Sequence, residues 1–333
     1  MRTAAPLPPR FRWPRRGWAL ALRLLIAAVL VSWLLRSGRL DWRMMAAVEL
    51  GGFLLASALC RMAASLLRLV RWHLLCRALG LELGLGKAIH IGLIGYFLGI
   101  AVPSSVGVDA TRLYYGSREQ PNSGAALLST ILADRLLGIL ALLILALGFG
   151  GALAVSGGPE ELGVTLLFLL GALLAVAAMA AVYWRWNWLE RLEPFLPWKA
   201  LRDLMAATHE YRRHRGVLVR AMLLSFLCHG AVMAAAYCTF RAIGVVPPVL
   251  AVCVVMPLSS LAWGLPVTPL GLGVVDSLAE ALYSLLGAPG GAEITMIMRA
   301  VSVAVSLAYG LAYLVPVGRD RQAQTAAAHG AGE

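Results

Sequence analysis

Apolar segments of membrane-spanning length alternate with short polar connections along most of the chain. A helix needs about 20 mostly apolar residues to cross a bilayer, and a helix satisfies its own backbone hydrogen bonds in lipid. The pattern therefore predicts an all-α, polytopic membrane protein with about six full spans. The predicted spans are residues 18–35, 44–70, 123–150, 164–182, 217–243 and 294–317.

Two further apolar segments are interrupted, the first at Pro103 and the second at Pro266. Proline and glycine break helices, and a break at membrane depth is tolerated only where protein buries the freed backbone or a polar cavity solvates it. Each segment is predicted to be a re-entrant hairpin, and paired broken segments are typical of a transporter's binding site. The predicted limbs are 88–101 and 107–118 around the first break, and 249–263 and 274–286 around the second.

Composition and charge support a membrane protein. Hydrophobic residues make up 60% of the 333 residues and charged residues only 14%, whereas a soluble domain carries about 25% charged residues. The net charge of +12 does not indicate nucleic acid binding, because the basic residues flank the predicted spans. This distribution predicts an inner-membrane protein with both termini in the cytoplasm and two re-entrant hairpins of inverted orientation.

The same features predict three parts of the chain. Residues 1–16 form a basic cytoplasmic tail, residues 17–317 form one transmembrane domain, and residues 318–333 form a short C-terminal tail. Within the membrane domain, residues 189–215 mix arginines with leucines and are predicted to lie on the cytoplasmic surface as an amphipathic segment.

Six ionisable residues at or near membrane depth lie in or beside the breaks. Each costs about 2.5–3.5 kcal/mol at the centre of a lone helix, so exposure to lipid without a partner is disfavoured. One interpretation is a polar pocket in which arginines hold a phosphate and carboxylates balance them. The alternative is a set of internal ion pairs that lock helices together. The six residues are Asp109, Arg112, Asp134, Arg135, Asp276 and Arg299.

Small polar residues at the breaks add candidate hydrogen-bond donors. The hydroxyls are predicted either to bind a headgroup or to cap the half-helix and satisfy the broken backbone. The half-helix N-termini after each break would also present unpaired N–H groups to an anion. With the two prolines, these complete the predicted substrate site: Pro103, Ser104, Ser105, Gly107, Pro266, Thr268, Gly271 and Gly273. No metal or nucleotide motif occurs, and no extramembrane stretch is long enough for a catalytic domain, so neither a cofactor nor enzymatic activity is predicted.

Four motifs carry a resemblance to a known family. They are Arg71-Trp72, the segment 102–112 (Val-Pro-Ser-Ser-Val-Gly-Val-Asp-Ala-Thr-Arg), Asp134-Arg135-Leu-Leu-Gly138, and the segment 266–276 (Pro-Val-Thr-Pro-Leu-Gly-Leu-Gly-Val-Val-Asp). With them the chain resembles the lysylphosphatidylglycerol synthase transmembrane (flippase-like) family of bacterial and archaeal membrane proteins over residues 20–316. It departs from the family pattern at Val108, Leu270 and Asp276.

The resemblance implies movement of a lipid across the membrane without the aminoacyltransferase activity of larger members, whose soluble domain is missing from this sequence. Our leading hypothesis is a lipid translocase whose cargo is an anionic phospholipid, an aminoacylated lipid, a hopanoid or a lipid-linked sugar. One alternative is a non-catalytic membrane partner of an enzyme that synthesises lipids, hopanoids or glycans. A second alternative is a membrane-embedded lipid transferase that uses Asp134 or Asp109 as a base.

Overall fold

The computed structural model describes residues 51–100, 106–157, 210–264 and 272–311, with isolated positions between 159 and 174. Every regular element in these ranges is helical, as the apolar pattern predicts. Eight α-helices and one 3-10 turn are described: α1 (Gly52–Ala78), α2 (Leu85–Leu98), α3 (Val106–Glu119), α4 (Gly124–Val155), the 3-10 turn (Tyr211–Arg213), α5 (Arg215–Ala242), α6 (Val249–Gly264), α7 (Val274–Leu285) and α8 (Gly291–Tyr309).

Four of these helices are long and apolar enough to cross a membrane: α1, α4, α5 and α8. They correspond to four of the six predicted spans, and the other two predicted spans lie largely or wholly outside the described residues. The four remaining helices have 12 to 16 residues. At 1.5 Å per residue the longest of them reaches about 24 Å, which is less than the roughly 30 Å of a hydrocarbon core.

The second span continues further than the sequence pattern predicts. The prediction ended it at residue 70 and placed 71–87 in a basic connection, but α1 runs to Ala78. No proline or glycine occurs between Gly52 and Gly80, so nothing stops the helix at Arg71. Gly80 has a φ of +70°, and its N–H donates to Arg77 while the N–H of Leu81 donates to Cys76. This is the Schellman arrangement that ends many helices at a glycine.

The short helices occur in two pairs at the predicted breaks. Helix α2 packs against α3, and α6 packs against α7. Each pair is followed by a long helix that contacts its second member, α4 after α3 and α8 after α7. The connecting residues 101–105 and 265–271 lie outside the described residues. Both halves therefore share one order of elements: short helix, break, short helix, long helix.

Helices α1 and α5 pack along one another and carry much of the main hydrophobic core. In their interface the hydroxyls of Ser57 and Thr239 share a hydrogen bond of 2.8 Å, and both residues are fully buried. The short helix α2 packs against α1 and α8. The short helix α6 packs against α4 and α5. The broken pairs are thus held by long helices from both halves of the chain.

Replacing Gly291 with alanine is expected to destabilise the contact between α7 and α8. A Cβ at this position would lie 2.5 Å from the carbonyl oxygen of Ala279, which is too close for a backbone atom to tolerate. Overpacking of this kind costs about 1–3 kcal/mol. Unfolding in detergent should show this loss, whereas Gly148→Ala on α4, with nothing within 4 Å, should be neutral or slightly stabilising. Equal stability of the two variants would contradict the close approach.

Candidate functional site

Asp134 is the centre of a buried charge cluster formed by three helices. Its Oδ1 accepts a hydrogen bond of 2.6 Å from Nε of Arg71, and its Oδ2 accepts one of 3.2 Å from Nη1 of Arg112. Arg71 also donates from Nη1 to the Ser225 hydroxyl at 2.6 Å. All four residues are buried. Helices α1, α3, α4 and α5 are therefore tied together by one carboxylate and two guanidinium groups.

Packing around the cluster holds the two arginines in place. The Arg112 guanidinium lies over the Trp72 ring, 4.9 Å from its centroid, and the indole N–H of Trp72 donates to Thr130 at 3.0 Å. Gly138, one turn after Asp134, lies against Arg71, and a Cβ there would make ordinary van der Waals contact at 3.6 Å with both Nη atoms. The Trp72 ring and the contact with Gly138 therefore hold the two guanidinium groups in fixed positions.

A second ion pair lies beside this cluster and is more accessible. Nε of Arg135 donates to Oδ2 of Asp109 at 2.5 Å, and Nη1 of Arg112 lies 3.8 Å from Oδ1 of Asp109. The side chains of Arg135 and Asp109 are 37% and 18% exposed, against 5% or less for Arg71, Arg112 and Asp134. The charge cluster therefore has a closed interior and one open edge.

The corresponding residues of the second half form a separate, sealed cluster. Asp276 is fully buried, and its Oδ1 accepts hydrogen bonds from Thr295 at 2.5 Å and from Nη2 of Arg299 at 2.9 Å. Its Oδ2 accepts from the backbone N–H of Gly273 at 2.8 Å and so caps α7. Arg299 also lies over Trp263, 5.4 Å from the ring centroid. Every one of these interactions is within or between α6, α7 and α8.

A cavity of about 630 Å³ opens between the two broken pairs. Its lining includes the first charge cluster, together with Arg68, Tyr96 and His229. It also includes the aliphatic side chains of Ile139, Leu142, Leu258, Leu261, Leu278 and Leu282. Short helices of both halves contribute, α2 and α3 from the first and α6 and α7 from the second. The cavity therefore joins a charged surface to an aliphatic one, and its volume is typical of small-molecule sites.

The predicted site residues fall into three groups. Four of them line the cavity: Asp109, Arg112, Asp134 and Arg135. Gly273, Asp276 and Arg299 come together in the sealed cluster and are not among the lining residues, while Gly107 is buried near the start of α3 and its carbonyl accepts a hydrogen bond from Thr111. The remaining predictions lie outside the described residues: Pro103, Ser104, Ser105, Pro266, Thr268 and Gly271.

Arg68, Arg71, Tyr96 and His229 line the cavity but were not predicted as site residues. Arg68 and Arg71 are three apart on α1, so a helix continued past residue 70 places them on one face. His229 is isolated in the sequence, and no local pattern marks it. In the structure its Nε2 lies 3.2 Å from the carbonyl oxygen of Gly138, on the helix that carries Asp134.

Comparison with known proteins agrees with these elements. A family model described as the lysylphosphatidylglycerol synthase TM region matches residues 20–314. No curated protein and no solved structure matches the chain. The family match covers nearly all of the 333 residues, including both broken pairs and all four described spans. The chain is an integral membrane protein that belongs to the lysylphosphatidylglycerol synthase TM region family.

Proposed function

We propose that this protein is a lipid translocase that moves a lipid headgroup across the inner membrane through the cavity between its broken helix pairs. The observation that carries the proposal is a single cavity lined by both charged and aliphatic side chains. A lipid has the same two parts, a polar headgroup and apolar chains. Asp109, Arg112, Asp134 and Arg135 would hold the headgroup, while leucines of α6 and α7 would contact the chains.

Movement across a membrane requires that the site be reached from each side in turn. We infer that the two broken pairs are re-entrant hairpins of inverted orientation within a single membrane domain, residues 17–317. The matching order of elements in the two halves supports this inference, because transporters built from inverted repeats alternate by rocking one half against the other. Binding at a discontinuous helix near the midplane is the arrangement expected of such proteins.

The two ion pairs at the breaks support an alternating mechanism. Asp109 on α3 pairs with Arg135 on α4, and Asp276 on α7 pairs with Arg299 on α8. In both halves a carboxylate of the helix after the break meets an arginine of the following long helix. The first pair is partly exposed and the second is sealed. We propose that the sealed pair closes one side of the membrane while the open pair admits the headgroup from the cytoplasm.

Arg135→Gln is expected to slow lipid movement at least tenfold while leaving the fold intact. Arg135 is the most exposed residue of the charge cluster, so its loss removes a headgroup contact without leaving a fully buried charge unpaired. Purified protein would be reconstituted in vesicles with fluorescent phospholipids. The fraction of lipid in the outer leaflet would be followed by bleaching with a membrane-impermeant reductant.

The matched control is Arg213→Gln, which makes the same chemical change at a side chain that is 79% exposed and outside the cavity. It should move lipid at the wild-type rate. Equal rates for wild-type vesicles and protein-free vesicles would contradict a translocase. If the protein then still assembled with a lipid-synthesising enzyme, the scaffold hypothesis would be favoured instead.

A further inference from the structure

The fixed charges that the described residues bring to the cavity do not balance. Among these residues four guanidinium groups and two carboxylates line it, so two positive charges remain in excess when all six are ionised. Unbalanced charge at membrane depth is costly, and a site that retains it is stabilised when an anion binds. The cationic residues are Arg68, Arg71, Arg112 and Arg135, and the anionic residues are Asp109 and Asp134.

Arg112 shows where an anion would bind. Its Nη1 is used by Asp134 and its flat face by Trp72, but its Nε and Nη2 are buried and have no hydrogen-bond partner among the described residues. These two nitrogens form one edge of the guanidinium plane and point their N–H bonds in parallel. This edge is the one that binds two oxygens of a phosphate or carboxylate side by side. Arg112 itself is only 1% exposed and lines the cavity.

Arg68 supplies a second positive charge that is not neutralised. It lies on α1 one turn before Arg71 and lines the same cavity. Within the described part of the chain no carboxylate forms an ion pair with Arg68. Tyr96 also lines the cavity, and its buried hydroxyl has no partner among the described residues. The described lining residues thus include an arginine with a buried, unpartnered side-on edge, a second guanidinium and a buried hydroxyl without a partner.

Resting on the proposed function, we infer that the cargo is a lipid whose headgroup ends in a phosphate monoester. Such a group carries about −1.5 to −2 charge at neutral pH and three acceptor oxygens, which matches the excess of two positive charges and the unused donors. A phosphodiester lipid carries one negative charge and has fewer free oxygens. An aminoacylated phosphatidylglycerol adds an ammonium group, which the excess arginines would repel. The site therefore selects by headgroup charge.

Binding and movement of four lipids would test this inference on the full-length protein. The probes are phosphatidic acid as the monoester, phosphatidylglycerol as the diester, phosphatidylcholine as the zwitterion and lysylphosphatidylglycerol as the cation. Affinity would be measured by titrating each lipid into the protein in nanodiscs, and movement by leaflet-selective bleaching of its fluorescent form. We expect phosphatidic acid to bind at least tenfold more tightly than phosphatidylglycerol, and the other two lipids to bind more weakly still.

Arg68→Gln is the most informative variant because it leaves no carboxylate unpaired. It should weaken the binding of phosphatidic acid about tenfold and the binding of phosphatidylglycerol much less, so that the preference for phosphatidic acid becomes smaller. Arg220→Gln, an exposed arginine of α5 outside the cavity, is the matched control and should keep the preference. Arg112→Lys keeps the charge but removes the side-on edge, and should lower the affinity for phosphatidic acid by a similar factor.

The outcomes separate this inference from the proposed function. If phosphatidic acid is bound most tightly and moved, and this preference depends on Arg68, the result would support both the phosphate monoester cargo and the translocase. Movement of all four lipids at the same rate, or a preference for phosphatidylglycerol or lysylphosphatidylglycerol, would overturn the inference that the cargo is a phosphate monoester. The proposal that the protein is a lipid translocase would still stand. Failure of the wild-type protein to bind or move any lipid would overturn the proposed function itself.

Discussion

Asp134→Asn is expected to lower the free energy of unfolding by about 3–5 kcal/mol, the cost of removing one partner of a buried ion pair. The effect should lie at the upper end of this range because Asp134 forms ion pairs with both Arg71 and Arg112. Asparagine keeps the shape of the side chain, so the change isolates the charge. Denaturation in mixed micelles and the yield of monodisperse protein would measure it.

A double variant tests whether this loss comes from unpaired charge. Adding Arg71→Gln to Asp134→Asn removes one of the two stranded guanidinium groups and should recover part of the stability. Glu210→Gln is the matched control, because its contacts with Arg213 and His214 are long and solvent-exposed and contribute less than about 1 kcal/mol. A double variant less stable than Asp134→Asn alone would mean that Arg71 stabilises the fold by its packing and its bond to Ser225.

Asp276→Asn is also expected to cost about 3–5 kcal/mol, because it removes one partner of a buried ion pair and a helix cap together. The carboxylate joins α7 to α8 through Thr295 and Arg299 and also caps α7 through the Gly273 N–H. An amide cannot form the ion pair with Arg299 and can accept fewer of these bonds. Melting of the purified protein in detergent would report the loss.

Thr295→Val provides the graded comparison. It removes one hydrogen bond to a charged acceptor and leaves the ion pair in place, which costs about 1.5 kcal/mol. The expected order of stability is wild type, then Thr295→Val, then Asp276→Asn. A stable Asp276→Asn protein would contradict the view that this cluster holds the second broken pair to α8.

Local features predicted much of the fold. Apolar length predicted α4 and α5 to within about five residues at each end, and the proline and glycine residues predicted the two interrupted segments that became α2–α3 and α6–α7. The end of α1 was predicted wrongly. The basic residues Arg71 and Arg77 suggested a connection outside the membrane. The helix continues through them because no proline or glycine interrupts it and because Arg71 pairs with Asp134 inside the protein.

The candidate site was predicted less completely. Asp109, Arg112, Asp134 and Arg135 stood out because ionisable groups are costly at membrane depth, and they line one cavity. The sequence left open whether such residues bind a ligand or pair with one another. Both oxygens of Asp134 and of Asp276 accept hydrogen bonds, whereas Nε and Nη2 of Arg112 have no hydrogen-bond partner in the part of the chain that the structure describes. Only side-chain geometry distinguishes these cases.

By itself the sequence determined that the chain is helical and membrane-embedded, because apolar length, charge placement and helix breakers act locally along the chain. The tertiary structure decided which charges meet. Arg71 and Asp134 are 63 positions apart, and Arg71 and Ser225 are 154 apart, so no local pattern connects them. The charge of the cavity depends on residues from α1, α3 and α4, whose faces come together only when the helices pack.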